Sequence, residues 1–323
     1  VLAYGGDVGF ISDSTPERDS MSLYGQGTWN HSDTLRSVFG LRYTDDEVYS
    51  EVTNFFGRQG TDILQVDGSK VTSRFVIEKD IDENRMFYVS YTKGYKPGGS
   101  NLTYGREDVV APIVVLPTFE EEVVDAYEFG LKADLAGGRT RINSAVFFYN
   151  YEGLQYQATD PELFQGGVSN IPESEIYGAE VELSTYVTDS MILDANLSWI
   201  ETEITADHFA LDNVQSDIAT NALLAQGVNQ FSDQVQIARA AEITNVKGNE
   251  LAKTPNFTAN LALTWEGYVE NWGELSNSLQ YVYRGDFKHR MFNNPLTDMV
   301  PDYEVLDFVS VSYTHLRAHE TLP

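Results

Sequence analysis

The chain has 323 residues, of which 42% are hydrophobic and 12% aromatic, a composition that argues against a disordered chain. Its 21 basic and 49 acidic residues give a net charge of −28, which argues against nucleic acid as a partner because such partners need a basic surface. The absence of cysteine excludes disulfides, thiolate metal sites and cysteine nucleophiles. No uncharged apolar run approaches the ~18 residues of a membrane-spanning helix, whereas a membrane β-barrel needs no such run.

The predicted elements, taken in chain order, alternate apolar and polar residues with a period of two. Leu35 and Leu41 lie on one face of the second element, for example, and Arg36 and Arg42 lie on the other. This period predicts strands with one apolar and one polar face. About eleven strands are predicted, near residues 21–29, 35–44, 71–78, 87–95, 127–134, 142–151, 180–183, 191–199, 257–265, 275–283 and 305–313.

The connections between these strands are alternately short and long. Long connections are predicted at roughly 50–69, 97–120, 157–172, 206–250 and 288–302. In an antiparallel sheet this alternation places every long connection at the same end, as in an outer-membrane barrel with short periplasmic turns and long extracellular loops. The strands have about the length, ~9–11 residues, that crosses a bilayer when tilted.

The charges predict which face meets lipid. The opposite orientation would place Arg36, Arg42, Arg74 and Lys132 in the bilayer, at a cost of roughly 2–4 kcal/mol for each basic residue near its midplane. The polar face is therefore predicted to line the lumen. Aromatic residues at strand ends suit the two membrane interfaces, namely Trp29, Tyr43, Tyr95, Trp199, Trp265 and Tyr283.

The long connection at 206–250 carries apolar residues at roughly helical spacing between Asp217 and Ala241. Loops of this length are uncommon unless they are functional or disordered. We expect a partly helical extracellular loop that folds over the barrel mouth, and the alternative is a flexible loop without ligand contact.

Several stretches resemble, in order, the barrel of TonB-dependent outer-membrane receptors. They are Gly40-Leu41-Arg42-Tyr43-Thr44, Tyr88 to Gly99 (YVSYTKGYKPGG), Phe119-Glu120-Glu121-Glu122 running into Tyr127-Glu128-Phe129-Gly130-Leu131-Lys132, Phe147 to Tyr151, Tyr177 to Glu182, and Leu251 to Leu261. Each stretch alone is a weak pattern, but the ordered set is specific and covers about residues 20–313. Glu128 and Lys132 share the lumen-facing parity, where they could meet an adjacent strand, a plug domain or only solvent.

The resemblance implies an all-β fold: an antiparallel transmembrane β-barrel portion, about 11 strands of a 22-stranded barrel. We expect residues 1–313 to be a partial barrel lacking its plug, and residues 314–323 to be a non-native or disordered tail. The implied activity is TonB-dependent uptake of a scarce solute across the bacterial outer membrane, with a ferric siderophore first and cobalamin or an oligosaccharide as alternatives. The implied partners are the TonB-ExbB-ExbD complex through the missing plug, outer-membrane lipid, lipopolysaccharide and the solute.

The predicted solute contacts are aromatic residues of the loops and upper wall, namely Tyr95, Tyr104, Phe119, Tyr151, Tyr156, Phe164 and Phe292. Each could instead pack against a neighbouring loop or lie at the membrane interface. No catalytic constellation, metal-ligand spacing or cofactor motif is legible, so no enzyme is predicted. The rival functions are a passive porin-like channel and a soluble all-β carbohydrate-binding protein.

Overall fold

The computed structural model of the chain describes residues 12–54, 60–101, 115–159, 166–270 and 272–313. It contains seventeen strands, β1 Ser12–Ser32, β2 Leu35–Asn54, β3 Gly60–Asp82, β4 Arg85–Lys96, β5 Gly99–Ser100, β6 Thr118–Phe119, β7 Glu122–Leu135, β8 Thr140–Thr159, β9 Gly166–Thr188, β10 Met191–Ile204, β11 Phe209–Leu211, β12 Ile243–Asn245, β13 Phe257–Val269, β14 Gly273–Arg284, β15 Phe287–Lys288, β16 Met299–Val300 and β17 Tyr303–Tyr313. The helices are a 3₁₀ turn at Ala136–Gly138, α1 at Asn213–Leu224 and α2 at Asp233–Ala240.

Eleven of these strands form one antiparallel sheet in the order β1-β2-β3-β4-β7-β8-β9-β10-β13-β14-β17. Each of these wall strands therefore pairs only with the wall strands next to it along the chain, and the predicted antiparallel all-β wall of about eleven strands is confirmed. The short connections, 33–34, 83–84, 136–139, 189–190 and 270–272, all lie at one end of the sheet. The long connections lie at the other end, as predicted.

One face of the sheet is apolar and nevertheless exposed. Phe39, Phe129, Val146 and Trp199 lie on this face, which we call the outward face. Apolar surface left in water costs about 25 cal/mol per Å² relative to an apolar environment, so this face needs lipid against it. No helix in the described part of the chain has the length and hydropathy needed to cross a bilayer.

An aromatic row marks the upper boundary of the apolar band. The register aligns Phe75, Tyr91, Tyr127, Phe148 and Tyr177 as direct neighbours across β3, β4, β7, β8 and β9. The next outward positions towards the long connections are polar in β4 and β7, where Lys93 Nζ lies 3.4 Å from Asp125 Oδ2. This placement is typical of the aromatic girdle of a membrane barrel, and it explains the lysine that interrupts the apolar face of β4.

The prediction of two of the long loops is wrong, because strands continue through most of these regions. β2 and β3 have 20 and 23 residues, and β8 and β9 have 20 and 23, so the regions predicted as loops at 50–69 and 157–172 are mainly strand. These extensions rise past the aromatic row as hairpins. Both of their faces meet water or other loops, and the apolar–polar alternation that reveals a membrane strand is therefore lost there.

The connection between β10 and β13 is partly helical, as predicted. It contains two helices, and the first begins at Asn213, before the predicted start at Asp217. α1 begins after Asp212, whose side chain accepts hydrogen bonds from the backbone N–H groups of Val214 and Gln215 and so caps the helix. The face of α1 that is buried carries Ser216 and Thr220, whereas Ile218 is exposed.

Candidate functional site

The lumen face of the wall carries a cluster of aromatic rings around carboxylates. Tyr88 donates its hydroxyl to Glu128 Oε1 at 2.5 Å, and Lys132 Nζ lies 5.7 Å from the centre of the Tyr88 ring. Phe147 and Tyr149 stack on the same face with ring centres 4.9 Å apart. The lumen therefore offers flat apolar surfaces next to hydrogen-bonding groups, which is the chemistry that holds a polar solute with rings.

Two glycines of the resemblance motifs make room for these rings. Gly130 lies directly opposite Tyr88, and a Cβ at this position would lie 2.3 Å from the tyrosine ring. Gly178 lies opposite Phe147, and a Cβ there would lie 2.8 Å from Phe147 Cζ and 2.3 Å from the carbonyl oxygen of Trp199. The rings therefore lie flat against the barrel wall because the neighbouring strand has no side chain.

Substitution of Gly178 by alanine is expected to destabilise the whole receptor by about 1–3 kcal/mol, because the backbone of Trp199 cannot move aside as a flexible side chain would. Denaturant unfolding in phospholipid vesicles measures this cost. The matched control is Gly40→Ala, where the nearest atom would be 3.5 Å from the new Cβ. Equal effects of the two substitutions would contradict the packing argument.

The segment between β4 and β7 is held against both extended hairpins. Ser100 Oγ lies 2.5 Å from Ser50 Oγ of β2. The buried Asn101 side chain donates to the carbonyl of Val168 at 2.8 Å and accepts from the N–H of Val168 at 2.7 Å, so it pairs with β9 as another strand would. Gly167 faces this contact, because a Cβ there would meet Val115 at 2.3 Å. The described residues of this segment thus contact both hairpins.

At the same end of the sheet, three connections share one small apolar core. Its buried residues are Ile171, Ile204, Ala210, Val246 and Met291, which come from the β8–β9 hairpin, the end of β10, the β10–β13 connection and the β14–β17 connection. Leu154, Tyr156, Leu251 and Phe292 pack around it. Burial of apolar area stabilises this arrangement independently of the lipid.

Tyr156 and His208 join the hairpin to the β10–β13 connection at the edge of this core. The Tyr156 hydroxyl lies 2.8 Å from His208 Nε2, and the two rings meet edge to face with centres 5.3 Å apart. Burial lowers the pKa of His208 below its ordinary value of 6.5. The histidine is therefore neutral at neutral pH when the loop is docked.

We expect docking of the β10–β13 connection to weaken as the pH falls through about 6.5. In that range the undocked His208 takes up a proton while the docked ring resists it, so the contribution of His208 to docking is complete above this pH and declines below it. The measurement is the rate at which an added protease cuts the connection, between pH 7.5 and 5.5. In His208→Gln the cleavage rate should follow only the pH dependence of the protease itself. If cleavage of this variant still accelerates at low pH as much as in the wild type, His208 does not control docking.

The structure places the predicted solute contacts at different depths. Tyr151 faces the lumen on β8. The hydroxyl of Tyr95 is buried beside Gly68, whose Cβ would lie 3.2 Å from it, and Phe119 covers Gly99. Tyr156 and Phe292 each pack against the same core. Tyr104 and Phe164 lie outside the described residues, and solute contact by all seven stays a prediction.

Sequence reasoning missed several polar residues that organise the mouth. Asn101 belongs to the Asn-x-Thr glycosylation pattern Asn101-Leu102-Thr103, which does not predict this contact. Gln155 and Asn170 belong to no such pattern, yet Gln155 donates to the carbonyls of Pro97 and Glu120, and Asn170 donates to those of Glu120 and Gly153. Within the described ranges, no group of three or more histidine or acidic residues is arranged to hold a metal ion.

An antiparallel wall with an apolar outward face, a polar lumen and long connections at one end defines a protein of the outer-membrane β-barrel class. The chain belongs to the TonB-dependent receptor family, because the family described as "TonB dependent receptor-like, beta-barrel" matches residues 2–319. Its location is therefore the outer membrane, and the family is one of transport receptors. The predicted resemblance and fold class are confirmed.

Known relatives agree with this assignment. The chain is 26% identical over 125 residues to the probable TonB-dependent siderophore receptor PiuA of Acinetobacter baumannii, covering 38% of the chain and 16% of that protein. The crystal structure of PiuA matches with a TM-score of 0.68 and 18% identity over 94% of this chain and 38% of that one. The ferric yersiniabactin uptake receptor FyuA of Yersinia pestis matches with a TM-score of 0.67 and 17% identity, over 93% and 39%. The copper transporter OprC matches with a TM-score of 0.60 and 12% identity, over 90% and 39%.

Proposed function

We propose that the chain forms part of the wall and mouth of an outer-membrane receptor that takes up a scarce solute actively. The observation that carries this proposal is the set of interlocked loops at one end of a polar, aromatic lumen. A passive pore gains nothing from a mouth built in this way, whereas a receptor needs a shaped surface that binds its solute before transport. The receptor performs no covalent chemistry in this proposal.

The proposed solute is a ferric siderophore, with cobalamin or an oligosaccharide as alternatives. One relative, PiuA, is named as a siderophore receptor, and another, FyuA, as a ferric yersiniabactin uptake receptor, which supports this order. A copper transporter with the same fold shows that the fold alone does not select the solute. The proposed contacts remain Tyr95, Tyr104, Phe119, Tyr151, Tyr156, Phe164 and Phe292. Of these, Tyr151 lies on the lumen face, next to the Phe147–Tyr149 pair.

The remaining partners follow from the same proposal. A plug supplied by the rest of the receptor would connect this barrel to TonB, and the TonB-ExbB-ExbD complex would supply the energy. Outer-membrane lipid and lipopolysaccharide would surround the outward face. The chain spans less than two-fifths of the solved relatives, so these roles belong to the whole receptor.

Growth of a deletion strain of the source bacterium tests the proposal. The strain, complemented with the full-length gene or with an empty vector, is grown with a ferric siderophore, cobalamin or an oligosaccharide as the limiting nutrient. We expect the full-length gene to restore uptake of the ferric siderophore only where TonB is also present. Restored uptake in a strain without TonB would instead establish the passive channel, and restored uptake of another nutrient alone would replace the siderophore as the solute.

A further inference from the structure

Arg290 lies where the β14–β17 connection meets the β10–β13 connection. Its guanidinium donates to Asp212 Oδ1 at 2.6 Å and to Asp298 Oδ1 at 2.8 Å and 2.5 Å. The three side chains are largely removed from solvent, with exposed fractions of 15% for Arg290, 6% for Asp212 and 0% for Asp298. One planar cation therefore balances two buried carboxylates from two separate parts of the chain.

Each carboxylate also organises its own loop. Asp212 caps α1 through the N–H groups of Val214 and Gln215. The other carboxylate, Asp298, accepts hydrogen bonds from the N–H of Asn294 at 3.0 Å and the hydroxyl of Thr297 at 3.0 Å. The ion pairs thus connect two local structures that are each already ordered, and such a contact costs less conformational entropy than one between flexible side chains.

The residues that follow Arg290 continue the contact. Met291 enters the shared apolar core, and its carbonyl accepts from Asn249 Nδ2 at 2.9 Å. Asn293 and Glu250 exchange two hydrogen bonds, from the N–H of Glu250 to Asn293 Oδ1 at 2.8 Å and from Asn293 Nδ2 to the carbonyl of Glu250 at 3.1 Å. Polar and apolar contacts therefore both join residues 290–293 to the β10–β13 connection.

We propose that Arg290, Asp212 and Asp298 form a latch that holds the two connections together in the solute-free receptor. This side of the mouth is then a preformed surface, and the solute binds to it without assembling it. Without Arg290, two buried carboxylates would lie close together with no counter-charge, and burial makes such a loss far more costly than at an exposed site.

Hydrogen exchange of the full-length receptor in phospholipid vesicles, without solute, tests the latch. In the wild type we expect the amides of α1 and of residues 289–298 to be protected. In Arg290→Met we expect their exchange to accelerate at least about 100-fold, while β7 to β10 stay protected. Unprotected amides in the wild type, or an acceleration below about threefold in the variant, would overturn the proposal.

The matched control is Arg139→Gln. It removes an arginine–aspartate pair of similar length, 2.7 Å between Arg139 and Asp189, whose side chains are 44% and 95% exposed at the opposite end of the wall. Because exposed pairs contribute little, exchange in the latch segments should change less than about threefold, and an effect as large as that of Arg290→Met would also overturn the latch.

If Arg290→Met does not insert into the membrane, Asp298→Asn provides the same comparison. It removes one charge and leaves Arg290 paired with Asp212, so we expect about tenfold faster exchange in the same segments. An acceleration below about threefold in this variant would count against the latch. Neither measurement involves solute or TonB, so failure here leaves the uptake proposal intact.

Discussion

Replacement of Leu197 by arginine is expected to lower the free energy of unfolding of the whole receptor in phospholipid vesicles by about 2–4 kcal/mol. Leu197 lies on the outward face in the middle of β10, with 37% of its side chain exposed, and in the membrane that exposed surface meets lipid. Arginine at this position brings a charge into the bilayer. Guanidinium titration followed by tryptophan fluorescence measures the loss.

The neighbouring position provides the control. Asn196 points into the lumen and pairs in register with Glu182, so Asn196→Arg adds the same charge next to a carboxylate and water. We expect its effect to stay within about 0.5 kcal/mol, as for surface substitutions in general. If both arginines cost the same, the assignment of outward and lumen faces is incorrect.

Truncation of Ile204 to alanine is expected to weaken docking of the mouth segments by about 2–5 kcal/mol. Ile204 is 0% exposed and lies in the core shared by the three connections, so its removal leaves a cavity among these segments. The measurement is the distance between spin labels on cysteines replacing the exposed Phe231 and Leu296, which lie on the two connections. A sharp distance distribution should become broad.

Ile218→Ala removes the same atoms from the exposed side of α1, where the side chain is 54% exposed. The label distances should then remain as sharp as in the parent. An unchanged distribution in Ile204→Ala as well would mean that hydrogen bonds and ion pairs alone hold the mouth.

The wall could be predicted from the sequence because lipid imposes a pattern on every strand that crosses it. Phe75 and Ile77 face outward and Arg74 faces the lumen, as the period of two predicts, and Gly40 to Thr44 lies on a strand. Above the aromatic row this constraint ends. The extensions of β2 and β3 contain Glu47, Tyr49 and Glu51 on a face that needs no apolar residue, so they could not be told from a loop.

The mouth could be predicted only in outline. The helical spacing predicts a partly helical loop, but Arg290 and Asp212 are separated by 78 residues, and neither residue type reveals its partner. Tyr156 and Phe292 are predicted as solute contacts because they are aromatic and lie in loops. In the structure both side chains pack against the same core. An aromatic residue in a loop can pack in this way as readily as it can contact a solute, and the sequence does not distinguish the two roles.

The two outermost wall strands, β1 and β17, each have a sheet partner on one side only among the described residues. Their free edges carry rows of unsatisfied backbone donors and acceptors, and such edges act as templates for pairing with other chains. Produced by itself, this polypeptide would be prone to aggregate through them. Binding or stability measured on the isolated piece would then report self-association and not the behaviour of the whole receptor.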